Sequence, residues 1–247
     1  MPLPAKAFQL WLHGVAPTAS TADICRISGI KRTTLAQQLV RGKVAETTLV
    51  SISRALRLSP LASLASFDNY AELAGTPQPP TPAELVSQVA TMDLLRAVID
   101  RAAAGSGAAG QGPAPPPDPG PAPHSTSVRN WVDAIDDGEL RHRVSAATGV
   151  APQNYSAQLT ANRLSPELAV ATARAAGVGF TGGLVATGLI TEDEAGWAPG
   201  AKQSALDALS DGDLTALAGE RLQTLGKTLR RQEQEHTQTE KIWENLG

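Results

Sequence analysis

Residues 31–43, KRTTLAQQLVRGK, bring Lys31, Arg32, Arg41 and Lys43 together with no acidic residue among them, in a chain whose net charge is −3. The cations bracket Thr33, Thr34 and Gln37, whose side chains both donate and accept hydrogen bonds. Such a set suits a polyanion that carries donors and acceptors between its charges. Lysine and arginine would hold phosphates, while the hydroxyl and amide arms are short enough to reach base edges. Lys31 and Arg32 also stand where a helix would begin, and there they oppose the helix dipole unless an anion joins them. A solvated basic face on an ordinary helical bundle is the plainer reading, and the unfavourable dipole placement weighs against it.

The flanking residues supply the elements that would position this set. Ser20 can cap a helix with Asp23 three residues on, Ile24 and Ile27 are expected to face inward, and Gly29 suits a helix end of positive φ. Ile30 plugs the turn. A second helix follows, with Leu35 and Leu39 inward and Lys31, Arg32, Thr33, Ala36 and Gln37 outward. Two helices crossing at such a turn form a helix-turn-helix, which offers the start of its second helix to a DNA groove.

The pattern occurs twice. Residues 8–64 overlie 128–184 without a gap: Trp11 falls on Trp131, Ile24 on Val144, Gly29 on Gly149, Gln38 on Gln158, Arg54 on Arg174 and Leu64 on Leu184. A constant offset through several expected helices indicates duplication. The outer face changes between the two. Ala151-Pro152 replaces Lys31-Arg32, Tyr155 replaces Leu35, and Ala161-Asn162 replaces Arg41-Gly42. Pro152 remains compatible with a helix start. Gln153 and Asn154 could read adenine edges and Arg163 could hold a phosphate, or this copy has become a dimerisation or partner module. Trp11, Trp131 and Cys25 are expected in the core. Tyr155 is read as core, with a contact role as the alternative.

With Ile24, Cys25, Gly29, Ile30 and Leu35 followed by AETTLVSISRALRLSPLASL (residues 45–64), residues 8–67 resemble the lambda-repressor and Cro-like (XRE-type) DNA-binding family. They are also similar to actinobacterial and actinophage regulators of that family, including immunity repressors. The resemblance implies a sequence-specific double-stranded DNA-binding regulator, acting as a repressor. Its cytoplasmic setting would be the bacterial nucleoid, or the host cytoplasm if the gene is a phage's. A non-catalytic protein-interaction adaptor on the same scaffold is the competing expectation.

Composition narrows the other classes. Aromatic residues make up 4% of the chain, so folded units must be built from aliphatic side chains in small helical domains. Cys25 is the single cysteine, which leaves no internal disulfide, and His13, His124, His142 and His236 are too scattered for a metal site. Neither a nucleophile elbow nor a carboxylate pair has a supporting context. The glycine-rich stretch GVGFTGG (residues 177–183) follows a helix rather than a strand, against a dinucleotide site. The expectation is a non-enzyme without cofactor or metal, in a reducing cytosol, with no membrane span.

Residues 1–75 carry +4 (eight Lys/Arg against four Asp/Glu), whereas 125–199 carry −3 (five against eight). The expected architecture is all-α: a first helix-turn-helix domain over 1–75, an amphipathic helix in 76–104 starting near Pro82 with a Thr81–Glu84 capping box, a disordered Gly/Pro-rich linker over 105–124, a second, divergent helix-turn-helix domain over 125–199, and a C-terminal helix and polar tail over 200–247. The apolar stripes of 82–104 and 211–229 are candidates for homo-oligomer contacts. An extended linker of that length would span about 60 Å and let both domains reach one duplex.

Overall fold

The computed structural model describes residues 2–105 and 118–244, with side chains over 2–104 and 118–237. Helix accounts for 66% and strand for 2%, so the chain is all-α in class. The N-terminal helices are α1 (Ala5–Val15), α2 (Thr21–Ser28), α3 (Arg32–Val40), α4 (Glu46–Ala55) and α5 (Pro60–Ala65), followed by a 3-10 turn, Asp68–Leu73. Then come α6 (Pro82–Ser87), α7 (Thr91–Gly105), α8 (Ser127–Ile135), α9 (Leu140–Thr148), α10 (Pro152–Thr160), α11 (Pro166–Ala176), α12 (Thr181–Ala186), α13 (Ala201–Asp207) and α14 (Asp211–Glu244).

Local chemistry accounts for most ends. Ser20 accepts from the Asp23 amide at 3.1 Å, and Gly29 closes α2 at φ 71°. Thr81 and Glu84 form a reciprocal capping box at the start of α6. From α2 to α5 each boundary recurs 120 residues later to within a residue, as in Arg32–Val40 and Pro152–Thr160. The positive-φ positions recur too: Gly29 with Gly149, Gly42 with Asn162, and Arg57 with Gly177. The offset continues through α6 and α13 and through the starts of α7 and α14, further than the sequence overlay reached.

The chain divides into two compact units. One holds Met1–Gln88 and Pro121–Ala201, and therefore both five-helix sets; the other holds described residues of Val89–Gly120 and Lys202–Gly247. In the first unit, α1 to α5 pack around Phe8, Ile24, Leu35, Leu49, Ile52 and Leu64, all buried. A short antiparallel pair, Leu3–Pro4 against Lys43–Val44, ties the chain start to the segment after α3. The second set packs around Val128, Trp131, Leu140, Val144, Tyr155 and Leu168.

In the other unit α7 packs on α14. Arg101, near the end of α7, donates to the carbonyls of Leu206 (2.5 Å) and Leu209 (2.7 Å) and to Asp211 Oδ1 (3.2 Å), so the end of α7 meets the start of α14.

Four expectations need correction. The helix expected from Pro82 to Ala104 is two, broken after Ser87: buried Gln88 leaves the helical path and donates through Nε2 to the Ser87 hydroxyl (2.9 Å) and the Ser127 carbonyl (3.2 Å). Of the expected linker, residues 106–117 lie outside the described residues, but the end of it is bonded in place. Gly120 N donates to Asp93 at 3.1 Å and Ala122 N to Glu192 at 2.8 Å, which satisfies backbone groups that have no regular secondary structure to pair with. Ile27, expected inward, is 45% exposed, and Trp11 is only half-buried beside Phe8, while Trp131 is fully buried. In the tail, Ser210 caps α14 by accepting from the Asp213 amide at 3.1 Å. The side chains of Ile242 and Trp243 lie outside the described residues.

Candidate nucleic-acid interface

Helix α3 is anchored from beneath by Leu35, which is fully buried, with Gln38 and Leu39 half-buried beside it. Gln38 Oε1 accepts from the Ala45 amide at 3.3 Å and fixes the chain as it leaves α3. Everything on the other side is in solvent: Lys31, Arg32, Thr33, Thr34, Ala36, Gln37, Arg41 and Lys43 are exposed. Lys31 is the cap residue and provides no side-chain cap, so the first amides of α3 are not satisfied by it. Val40, 88% exposed, adds an apolar spot to the same helix.

The side chains of Lys31, Arg32, Arg41 and Lys43 form no ion pair or hydrogen bond among the described residues. Arg26 differs, since it pairs with Asp23 at 3.3 Å. The Ser20 hydroxyl, and after it Arg26, hold the Asp23 carboxyl below its usual range. Asp23 is thereby paired within its own helix, and the exposed cations on and after α3 form no ion pair with it.

The second set repeats the frame and changes the face. Pro152 occupies the first turn of α10, and Gln153, Asn154 and Arg163 are exposed without side-chain partners among the described residues. Arginines here are tied to local acids: Arg141 to Asp133 (3.2 Å) and Asp136 (3.3 Å), and Arg143 to Asp137 (2.9 Å). Arg143 depresses the Asp137 carboxyl, helped by the Glu139 amide. Arg141 and Arg143 are thus engaged with acids of their own segment, unlike Lys31 and Arg32 of the first set.

Two roles escaped the sequence reading. Asn162 adopts φ 48° where the first set has Gly42, and its Oδ1 accepts from the Val128 (2.9 Å) and Arg129 (3.4 Å) amides, capping α8 from a distance. Asparagine at a position equivalent to a turn glycine was the available signal. The GVGFTGG stretch is a packing device. A Cβ on Gly183 would sit 2.6 Å from Trp131 Cη2, and one on Gly182 would collide with the Glu84 carboxylate. These glycines let α12 lie directly on the indole ring.

Among the described residues no helix is long and apolar enough to cross a membrane, and no group of His, Cys, Asp or Glu is placed to hold a metal ion. Compared with protein-family models, curated proteins and solved structures, the chain matches none.

Proposed function

We propose that this chain is a sequence-specific double-stranded DNA-binding transcriptional regulator of the helix-turn-helix kind, acting as a repressor, with α2–α3 as its main reader. The observation that carries the reading is the exposed set Lys31, Arg32, Arg41 and Lys43, without side-chain partners among the described residues, around the start of α3 that no side chain of its cap residue closes. Cations concentrated where they oppose a helix dipole are stabilised once a phosphate joins them. Thr33, Thr34 and Gln37 lie on the same exposed surface, where short arms can reach base edges. The repeated frame of α9–α10 supports the same role for the second set, with Gln153, Asn154 and Arg163 as an auxiliary reader.

Selection of bound duplexes from a random pool tests the proposal. A defined motif is expected, and retention that ignores sequence at every salt concentration would overturn it.

A protein-interaction role for the second set is favoured by one feature. A groove of about 770 Å³ is lined by Glu72, Ala147, Thr148, Val150, Gln158 and Arg174, a volume within the range of small-ligand and peptide-side-chain pockets. On that reading, filling the groove with Ala147→Trp leaves the DNA motif unchanged and abolishes capture of the partner.

A further inference from the structure

Arg54 on α4 and Arg174 on α11 are the same position 120 residues apart, and each leaves its own set to pair with the other. Arg54 grips Glu194 through Nε–Oε1 and Nη2–Oε2, both at 2.7 Å. Arg174 grips Glu72 in the same two-pronged way, with Nε–Oε1 at 2.9 Å. Glu72 lies just after the first set and Glu194 just after the second. Two sets arranged head to tail would make one of these contacts and leave the other side open. The arginines are equivalent and the acceptors are two residues out of register, since Glu72 corresponds to Glu192. Making both contacts still calls for an approximate two-fold axis, because only then does each side offer an arginine and receive one on the segment after its last helix. Within the second unit, taken by itself, α7 and α14 begin at equivalent positions and pack on each other with the end of one at the start of the other. Equivalent elements meet in this way across a two-fold.

The two sets are also held together through α6, by contacts that are not part of the reciprocal pair. Glu84, 1% exposed, accepts from Trp131 Nε1 at 3.1 Å, so α6 of the first half closes over α8 of the second. Gln88 reaches the Ser127 carbonyl, and His124 Nε2 lies 3.1 Å from the Ser87 carbonyl.

We infer that one chain, rather than a pair of chains, is the complete DNA-reading unit, in which α3 and α10 are held at one fixed spacing and read the two unequal halves of an inverted site. The inference rests on the proposed DNA-binding reading. A two-fold between the readers makes the halves inverted, and the rigid docking fixes their separation. The halves are unequal because Lys31 and Arg32 are replaced by Ala151 and Pro152, and Gln37 by Ala157. The first half should therefore carry more of the phosphate-driven affinity and the second should act through Gln153 and Asn154.

The full chain tests this on duplexes chosen from a random pool. Sedimentation of the complex is expected to give one chain per duplex. Inserting about five base pairs, half a turn, between the two halves of the motif should lower affinity at least tenfold, to that of the strong half alone; inserting about ten, a full turn, should not restore it. Gln153→Ala with Asn154→Ala should alter base preference in the weak half only. Loosening the docking with Glu72→Gln and Glu194→Gln should blunt the spacing penalty, and if that variant fails to fold, the wild-type spacing series still decides. Two chains per duplex, or affinity within about twofold at every spacing, would overturn the inference while leaving the DNA-binding reading intact. A random pool that returns no motif removes both.

Discussion

The Tyr155 hydroxyl lies 3.0 Å from Thr172 Oγ1 inside the second core, where the equivalent pair in the first core is Leu35 and Ile52. All four side chains are fully buried. Thr172 gives its own proton to the Leu168 carbonyl at 2.7 Å, so Tyr155 is the donor to Thr172. The two cores thus solve one packing position with an apolar pair and with a hydrogen-bonded pair. Tyr155 is a core residue, and burial raises the pKa of its hydroxyl.

This pairing gives a coupling prediction. Thr172→Ile leaves a buried phenol without an acceptor and should cost about 1–3 kcal/mol in denaturant unfolding. Adding Tyr155→Phe removes the stranded donor, so the double variant should be less destabilised than the sum of the singles, with a coupling of about 0.5–3 kcal/mol. Strict additivity would remove the assigned hydrogen bond.

Lys31→Ala with Arg32→Ala should weaken binding to all duplexes and lower the slope of log affinity against log salt by about 2, one for each phosphate that is no longer held. Thr33→Ala and Gln37→Ala should instead shift preference by about 1–3 kcal/mol at a few base pairs. Filter retention across salt, with circular dichroism to confirm folding, separates the two. An unchanged slope would show that the cations do not meet phosphate.

The cross-set ion pairs predict an acid dependence. Arg174 holds the Glu72 carboxyl below its usual range, and Arg54, helped by the Thr191 amide, does so for Glu194. In the unfolded chain these groups return to about 4.3 and bind more protons than the folded ones do. Their contribution is therefore complete above that pH and is lost as pH falls through the lower folded values. Glu194→Gln should flatten the fall in stability between about pH 5 and 3, and Glu72→Gln less so because its pair is more exposed. Identical pH profiles for wild type and Glu194→Gln would contradict this.

Gly183→Ala should destabilise by about 1–3 kcal/mol, because the added methyl meets the Trp131 ring and the packed indole has nowhere to move. Gly219→Ala is the control. Nothing lies within 4 Å of its Cβ on α14, so the change should stabilise by about 0.5–1 kcal/mol. Thermal unfolding of both variants provides the comparison.

The sequence by itself determined what depends on a few neighbouring residues. Ser20 with Asp23, Gly29, and Thr81 with Glu84 set helix ends through bonds spanning three residues or one backbone conformation, and all were legible. So were the burial of Leu35 and the exposure of Lys31, Arg32 and Gln37, which follow from helical periodicity. The break at Gln88 was hidden because apolar spacing runs on through it, and its cause is a carbonyl 39 residues away. Docking of the two sets was hidden for the same reason on a larger scale. Arg54 and Glu194 are 140 residues apart, and nothing around either one marks it as more than a surface charge. Only the tertiary structure decided that the repeated frames close on each other, since reciprocal contacts are a property of two surfaces meeting and leave no local pattern in either.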